Sequence, residues 1–234
     1  MNSEYQELAK ELAHDLGLTN PPVQVSYLEE PPSGVRNHTG AVPSVCTFFS
    51  EGRSEPFYAD LHAHENCEIG AFVLGVPPEG EVGERLMSTV GMMQKEGYLH
   101  PGDEAKIPRN AKPPRYVAYG PLGSLSMPPT TVLLFASAKS AMLAMEAAPG
   151  PVPMNGRPMC AIVPTLNQGT PVAASMGCIG SRLYTGLEDG QMIVGIRGDH
   201  LRSFASAVRK IRHANDLVAA EDQRRKDALK SKRA

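Results

Sequence analysis

Apolar positions near the N-terminus recur at helical spacing, with Tyr5, Leu8, Leu12 and Leu16 on one face. Ser3 and Gln6 read as an S-x-x-Q capping box and Gly17 as the stop. After Pro21 and Pro22 the period changes to two, and Val23, Val25 and Tyr27 suit a half-buried strand. The short apolar run at 44–49 predicts a helical turn holding Cys46, and 56–61 predicts a strand. Asn66 is the expected N-cap of a helix that starts at Cys67. A further amphipathic helix is expected over 83–95, burying Leu86, Val90 and Met93. Pro, Gly and charge crowd residues 97–114, which read as a loop or connector. Strands follow at 115–122 and 130–135, a helix at 138–147 and a linker at 148–158. Residues 159–166, 171–178 and 191–196 are further strand candidates, with a helix from about Leu201 onward.

Strand and helix signals that alternate in this way predict an α/β fold, with α+β as the second option. The 21 Pro and 22 Gly agree with a turn-rich architecture rather than a helical bundle. The four cysteines add an internal pattern. Cys46 and Cys67 are 67 − 46 = 21 residues apart, and Cys160 and Cys178 are 178 − 160 = 18 apart. Eight residues after the second cysteine of each pair comes a glycine, Gly75 and Gly186. Each pair is followed by an apolar run and then a helical pattern, at 130–147 and at 191–212. The expectation is an internally duplicated strand–helix unit around a shared site. Residues 1–148 form the first half, 149–220 the second, and 221–234 a basic tail. A pseudo-twofold axis would bring the four thiols together, with Cys67 and Cys178 nearest the axis and Cys46 and Cys160 approaching from the core side. On this reading the strand at 130–135 is the equivalent of the strand at 191–196.

Composition narrows the class. The chain has 234 residues, enough for one large domain or two small ones with a real core. A 41% hydrophobic fraction and a net charge of −2 speak against disordered or fibrous classes. No uninterrupted apolar run reaches the ~18 residues of a membrane span, and no basic-then-apolar leader opens the chain, so a cytoplasmic protein is expected. Four cysteines are too few for a disulfide scaffold of this length, so they read as thiols or ligands. The bases near the C-terminus, Arg224, Arg225, Lys226, Lys230, Lys232 and Arg233, read as a solvated helix end. No nucleic-acid or membrane partner is expected. P-loop, G-x-G-x-x-G, G-x-S-x-G and H-E-x-x-H patterns are absent, so nucleotide-binding and serine-hydrolase chemistry have no support.

The candidate chemistry is that of sulfur. Four thiolates hold iron–sulfur clusters or tetrahedral zinc, although here the fold must assemble them, because no compact C-x₂-C run occurs. The bland alternative makes Cys46 and Cys160, in apolar surroundings, small core residues. Cys67 at a helix start is expected to have a lowered pKa. Asp60, His62, His64 and Cys67 form D-x-H-x-H-x-x-C, in which two histidines alternating on a strand would face one ligand. Arg182 beside Cys178 is a candidate anion-binding group, ahead of Arg36 and Arg115.

The segments at 65–78, 115–122, 130–144 and 176–186, followed by 191–196, resemble an uncharacterised prokaryotic family, domain-of-unknown-function family 169, also labelled ArCR. The resemblance runs roughly from Val23 to Ile196. It implies an α/β domain of unknown activity, often in anaerobic or metal-rich metabolism. The expected function is an iron–sulfur or thiolate-metal binding protein, with Cys46, Cys67, Cys160 and Cys178 as ligands. A four-iron cluster is favoured, with zinc or haem as alternatives. It would act as an oxidoreductase or lyase on a small organic substrate, with His62, His64 and Arg182 around it, and would meet that substrate or a redox partner. The alternatives are a non-catalytic metal or tetrapyrrole carrier and a structural partner protein with inert cysteines. A homo-oligomer is allowed but not specified.

Overall fold

The computed structural model describes residues 2–40, 42–155 and 158–231. Gly156 and Arg157 of the expected linker, and Lys232 and Arg233 of the expected tail, lie outside the described residues. The chain forms a mixed α/β structure around one eight-stranded sheet. Its strands are β1 (Val23–Leu28), β2 (Arg36–Asn37), β3 (Phe57–Asp60), β4 (Tyr116–Pro121), β5 (Thr131–Ser137), β6 (Met154–Asn155), β7 (Val172–Ser175) and β8 (Gln191–Arg197). Their order across the sheet is β2-β3-β4-β1-β5-β8-β7-β6. The central strands β1 and β5 run antiparallel, with Gln24 opposite Val132. To either side of them comes an antiparallel neighbour, then another, then a two-residue strand paired in parallel at the edge.

Side chains alternate across the sheet with period two, so β5, β7 and β8 each feed two cores. Val25, Val117, Tyr119, Leu133, Phe135, Ala173 and Ile193 point to one face. Val132, Leu134, Ala136, Val194 and Ile196 point to the other. The second face is covered by α1 (Ser3–Leu16), α6 (Ala138–Glu146) and α9 (Leu201–Ser231), through Leu12, Leu16, Leu143, Phe204 and Val208. The first face carries α2 (Val45–Glu51), α4 (Glu68–Leu74), and a 3-10 turn at Met159–Ala161 that runs into α7 (Ile162–Asn167). The four-residue helix α3 (Leu61–His64) precedes α4, α5 (Gly80–Lys95) follows it, and α8 (Ile179–Thr185) lies between β7 and β8. Among the described residues, no helix is long and apolar enough to cross a membrane.

Three local expectations are corrected. The cap of α1 is Asn2, whose side chain accepts from the Glu4 amide at 3.1 Å, while the Gln6 amide reaches the Gly123 carbonyl instead. Asn66 does not cap α4; its side chain donates to the Val42 carbonyl at 2.8 Å, and Cys67 is the cap. Residues 159–166 are helical rather than a strand. A short, fully buried apolar run fits either structure, and Pro164 sits in the first turn of α7, where its missing N–H costs no helical bond. The packing of α7 on the sheet depends on Gly195 of β8, since a Cβ there would stand 2.7 Å from Leu166 Cδ1. Finally, the expected equivalence of the strands at 130–135 and 191–196 is not shown. They are adjacent antiparallel partners, from Thr131 opposite Arg197 to Ser137 opposite Gln191.

Candidate functional site

All four cysteines belong to the first face of the sheet, where residues from distant parts of the chain meet. Cys46 sits in α2, behind the N-cap Ser44, and Cys160 in the 3-10 turn before α7; both are buried in the same apolar core. Cys178 packs against that core from the N-cap of α8. Cys67 caps α4, its sulfur accepting from the Gly70 amide at 3.3 Å. Helix contacts cross between the halves: α8 lies on α2, and α4 lies on the turn that carries Cys160.

The sulfurs form a connected set. The thiols of Cys46 and Cys160 are hydrogen-bonded to each other, which lowers the pKa of Cys46 and, together with burial, raises that of Cys160 well above the usual thiol value. The Ser44 hydroxyl lies between Cys46 and Cys67: it accepts from the Cys46 backbone amide at 3.4 Å and from the Cys67 thiol at 3.9 Å. Cys67 and Cys178 both act electrostatically on Cys160. Cys46 and Cys160 form the inner pair, and Cys67 and Cys178 flank it. Burial pushes the Cys67 thiol up, against the opposing effect of the Val45 and Gly70 backbone, so the expected lowering by the helix N-terminus does not occur. Among the described residues, no three His, Cys, Asp or Glu side chains stand close enough together to hold a single metal ion.

Beside Cys160 lies a cavity of about 10 Å³, room for one water, lined by Tyr27, Val45, Phe49, Gly70 and Tyr119 among others. Tyr119 is fully buried and Tyr27 partly so, and burial raises both of their pKa values. Tyr27 Oη accepts from the Asn110 amide at 3.1 Å. Tyr119 stacks on Phe48 and Phe57 and bonds His64 Nε2 at 2.9 Å. Ser44, Tyr27, Tyr119 and Asn110 were not singled out from the sequence, where nothing marks an isolated tyrosine or serine as a neighbour of a distant cysteine.

The expected pair of histidines does not share a ligand, because residues 61–64 are a helical turn capped by Asp60 rather than a strand. His64 turns inward and is wholly buried; burial pushes its pKa down to about 4. Its Nδ1 lies 2.6 Å from the Asp60 carbonyl, and a carbonyl only accepts. Nδ1 therefore carries the proton, and the neutral Nε2 accepts from Tyr119 O–H. With both nitrogens engaged, His64 cannot serve Cys67 as a base. His62 turns outward, pairs with Glu65 at 3.1 Å, and lines an open polar cleft of about 450 Å³ with His38, Asp60, Glu81 and Arg85. Arg182 holds three backbone carbonyls, those of Met176, Glu188 and Gln191, and so braces the loop of Cys178. Arg53 does similar work between the halves, reaching Ser50 Oγ and the Thr185 carbonyl over the Phe135 ring.

The chain matches the sequence profile of domain-of-unknown-function family 169, the uncharacterised ArCR proteins, over residues 11–207. It belongs to that family. No curated protein and no solved structure matches it.

Proposed function

Family membership brings no activity with it, and from the arrangement of the thiols we propose that this ArCR chain holds an iron–sulfur cluster, or another thiolate-bound metal, between Cys46, Cys67, Cys160 and Cys178. The observation that supports this most is the packing: Cys46 and Cys160 share one apolar core with Cys178 against it, and α4, which Cys67 caps, lies on the turn that carries Cys160. A bound cluster supplies one-electron chemistry or, with one iron left open, a Lewis acid for a small organic substrate. The protein's part is to deliver thiolates and to keep water away from them. The apolar core around the inner pair excludes solvent, and the Gly70 amide in the first turn of α4 donates to the Cys67 sulfur at 3.3 Å. Of the residues expected around a substrate, His62 alone lines a cleft; His64 and Arg182 act as positioning residues. A cytoplasmic setting, which keeps thiols reduced, suits this role.

The proposal includes a duplication, with different boundaries from those expected. β1 matches β5, α2 matches the Cys160 turn with α7, β3 matches β7, α4 matches α8, and β4 matches β8. This pairing sets Cys46 against Cys160 and Cys67 against Cys178. The strand registers on the first face agree with it: Val25 and Phe57 both oppose Tyr119, just as Leu133 and Ala173 both oppose Gly195.

The contact between Cys46 and Cys160 supports a second reading, a dithiol–disulfide couple without metal. One experiment separates the two. The protein is purified without oxygen and analysed for iron, acid-labile sulfide and visible absorption. Iron and sulfide in equal amounts, with a broad band lost in Cys46→Ser, support the cluster. Metal-free protein that neither gains iron on reconstitution nor absorbs, but loses two thiols on mild oxidation, overturns it in favour of the dithiol.

A further inference from the structure

The two cysteine-capped helices differ in one respect that their matched positions make visible. Each follows an inner-to-edge strand, begins at a cysteine, and ends at a glycine in the left-handed region, Gly75 (φ 101°) and Gly186 (φ 62°). α4 has no exposed residue. It is covered by α5, through Thr89 on Glu68 at 2.6 Å, and by Arg109, which lies 4.3 Å over the Phe72 ring. In the second half only Gly186–Gly190 separates α8 from β8, and no helix covers the outer side. Ile179 and Leu183, one helical turn apart, are 60% and 71% exposed, with Met176 at 55% and Tyr184 at 45% beside them. An apolar face of this kind on a monomer marks a contact surface.

The same chain carries an unpaired helix of complementary character. α9 leaves the body near Arg212, which reaches back to the Asp15 carbonyl. Beyond it Leu217, Val218 and Leu229 are 58%, 69% and 62% exposed. The ion pairs Glu221–Arg225 and Asp222–Lys226 support it only by tenths of a kcal/mol each, and a lone helix of this length is marginal in water. Residues 217–234 hold six bases against three acids, while the α8 patch is bordered by the exposed Glu188 and Asp189. Apolar residues with basic neighbours therefore face apolar residues with acidic neighbours.

We propose that α8 is a homodimer contact, covered by the C-terminal half of α9 from a second copy of the chain, as α5 covers α4 within one copy. Exchanged reciprocally, the two contacts close a twofold dimer, and each copy's α9 roofs the loop that carries the other's Cys178. The dimer brings the arm of one subunit over the thiol site of its partner.

Sedimentation velocity of the full chain tests the proposal over a range of micromolar concentrations and at low and high salt. The expected result is a dimer that salt weakens. Leu183→Glu should raise its dissociation constant by at least about tenfold, and Val218→Glu, on the opposite partner surface, should do the same. Both sites are exposed, so at concentrations where the parent is itself monomeric the variants should match its circular dichroism and Tm. Glu188→Lys should weaken the dimer, and Arg225→Glu in the same chain should recover part of the loss. A parent that is monomeric throughout, or a dimer indifferent to both apolar variants, overturns the proposal. A dimer broken by Leu183→Glu but not by Val218→Glu also overturns it, because α9 is then not the occupant.

Discussion

His64 shows how a single buried ring couples the sheet to pH. Its pKa is pushed down to about 4 by burial, whereas in the unfolded chain it lies near 6.5. Between these values the unfolded state binds a proton that the folded state refuses. His64 therefore contributes its full stability above pH ~6.5 and loses it progressively as pH falls toward 4. The 6.5 − 4 = 2.5 unit difference corresponds to about 3 kcal/mol. Urea unfolding at pH 7.5, 6 and 5 should show that decline, and His64→Gln, which stays neutral, should flatten it while lowering stability at pH 7.5 by about 1–3 kcal/mol. An unchanged slope in the variant would assign the effect to other groups. The importance of residues 60–67 was legible in the sequence, but the direction of each side chain was not. A D-x-H-x-H pattern looks the same on a strand as on a turn; only the Asp60 cap, which closes a turn at Ala63, sends His62 out and His64 in. The pKa of Cys67 was misjudged for a related reason. A helix N-terminus is visible in sequence, whereas the burial that outweighs it is a property of the assembled core.

At the scale of elements, close approach decides what the sulfurs can touch. Gly70 lets α4 lie against α2: a Cβ at this position would stand 2.4 Å from Val45 Cγ2, and 3.0 Å from the Cys67 sulfur. Gly70→Ala must therefore push α4 away from Ser44 and Cys46. The expected cost is about 1–3 kcal/mol, a fall in Tm of several degrees, with reduced iron retention if the cluster is present. A Tm within one degree of the parent would show that α2 and α4 part freely. Long periodic helices and the alternating strands β1, β4, β5 and β8 could be read from sequence, because their patterns extend over several residues. The segment at 159–166 could not, since in a fully buried run every position is apolar and the period disappears. That element carries Cys160, the hub of the site.

The sheet is joined at its centre by β1 and β5, and three of the cysteines that the spacing singled out, Cys46, Cys160 and Cys178, pack into the core on one face. The sheet order was not legible from order along the chain, because β5 lies between the two cysteine pairs yet pairs with both β1 and β8. Topology, rather than sequence order, places Cys46 against Cys160. The central claim is that one metal centre draws on both halves. Native mass spectrometry of anaerobically prepared protein measures it most directly. The expected spectrum shows each chain heavier than its sequence by four irons and four sulfides. That increment should be lost when either member of the inner pair, Cys46 or Cys160, is changed to Ser. A chain at its bare sequence mass after reconstitution, or an increment that survives in Cys160→Ser, would contradict the account.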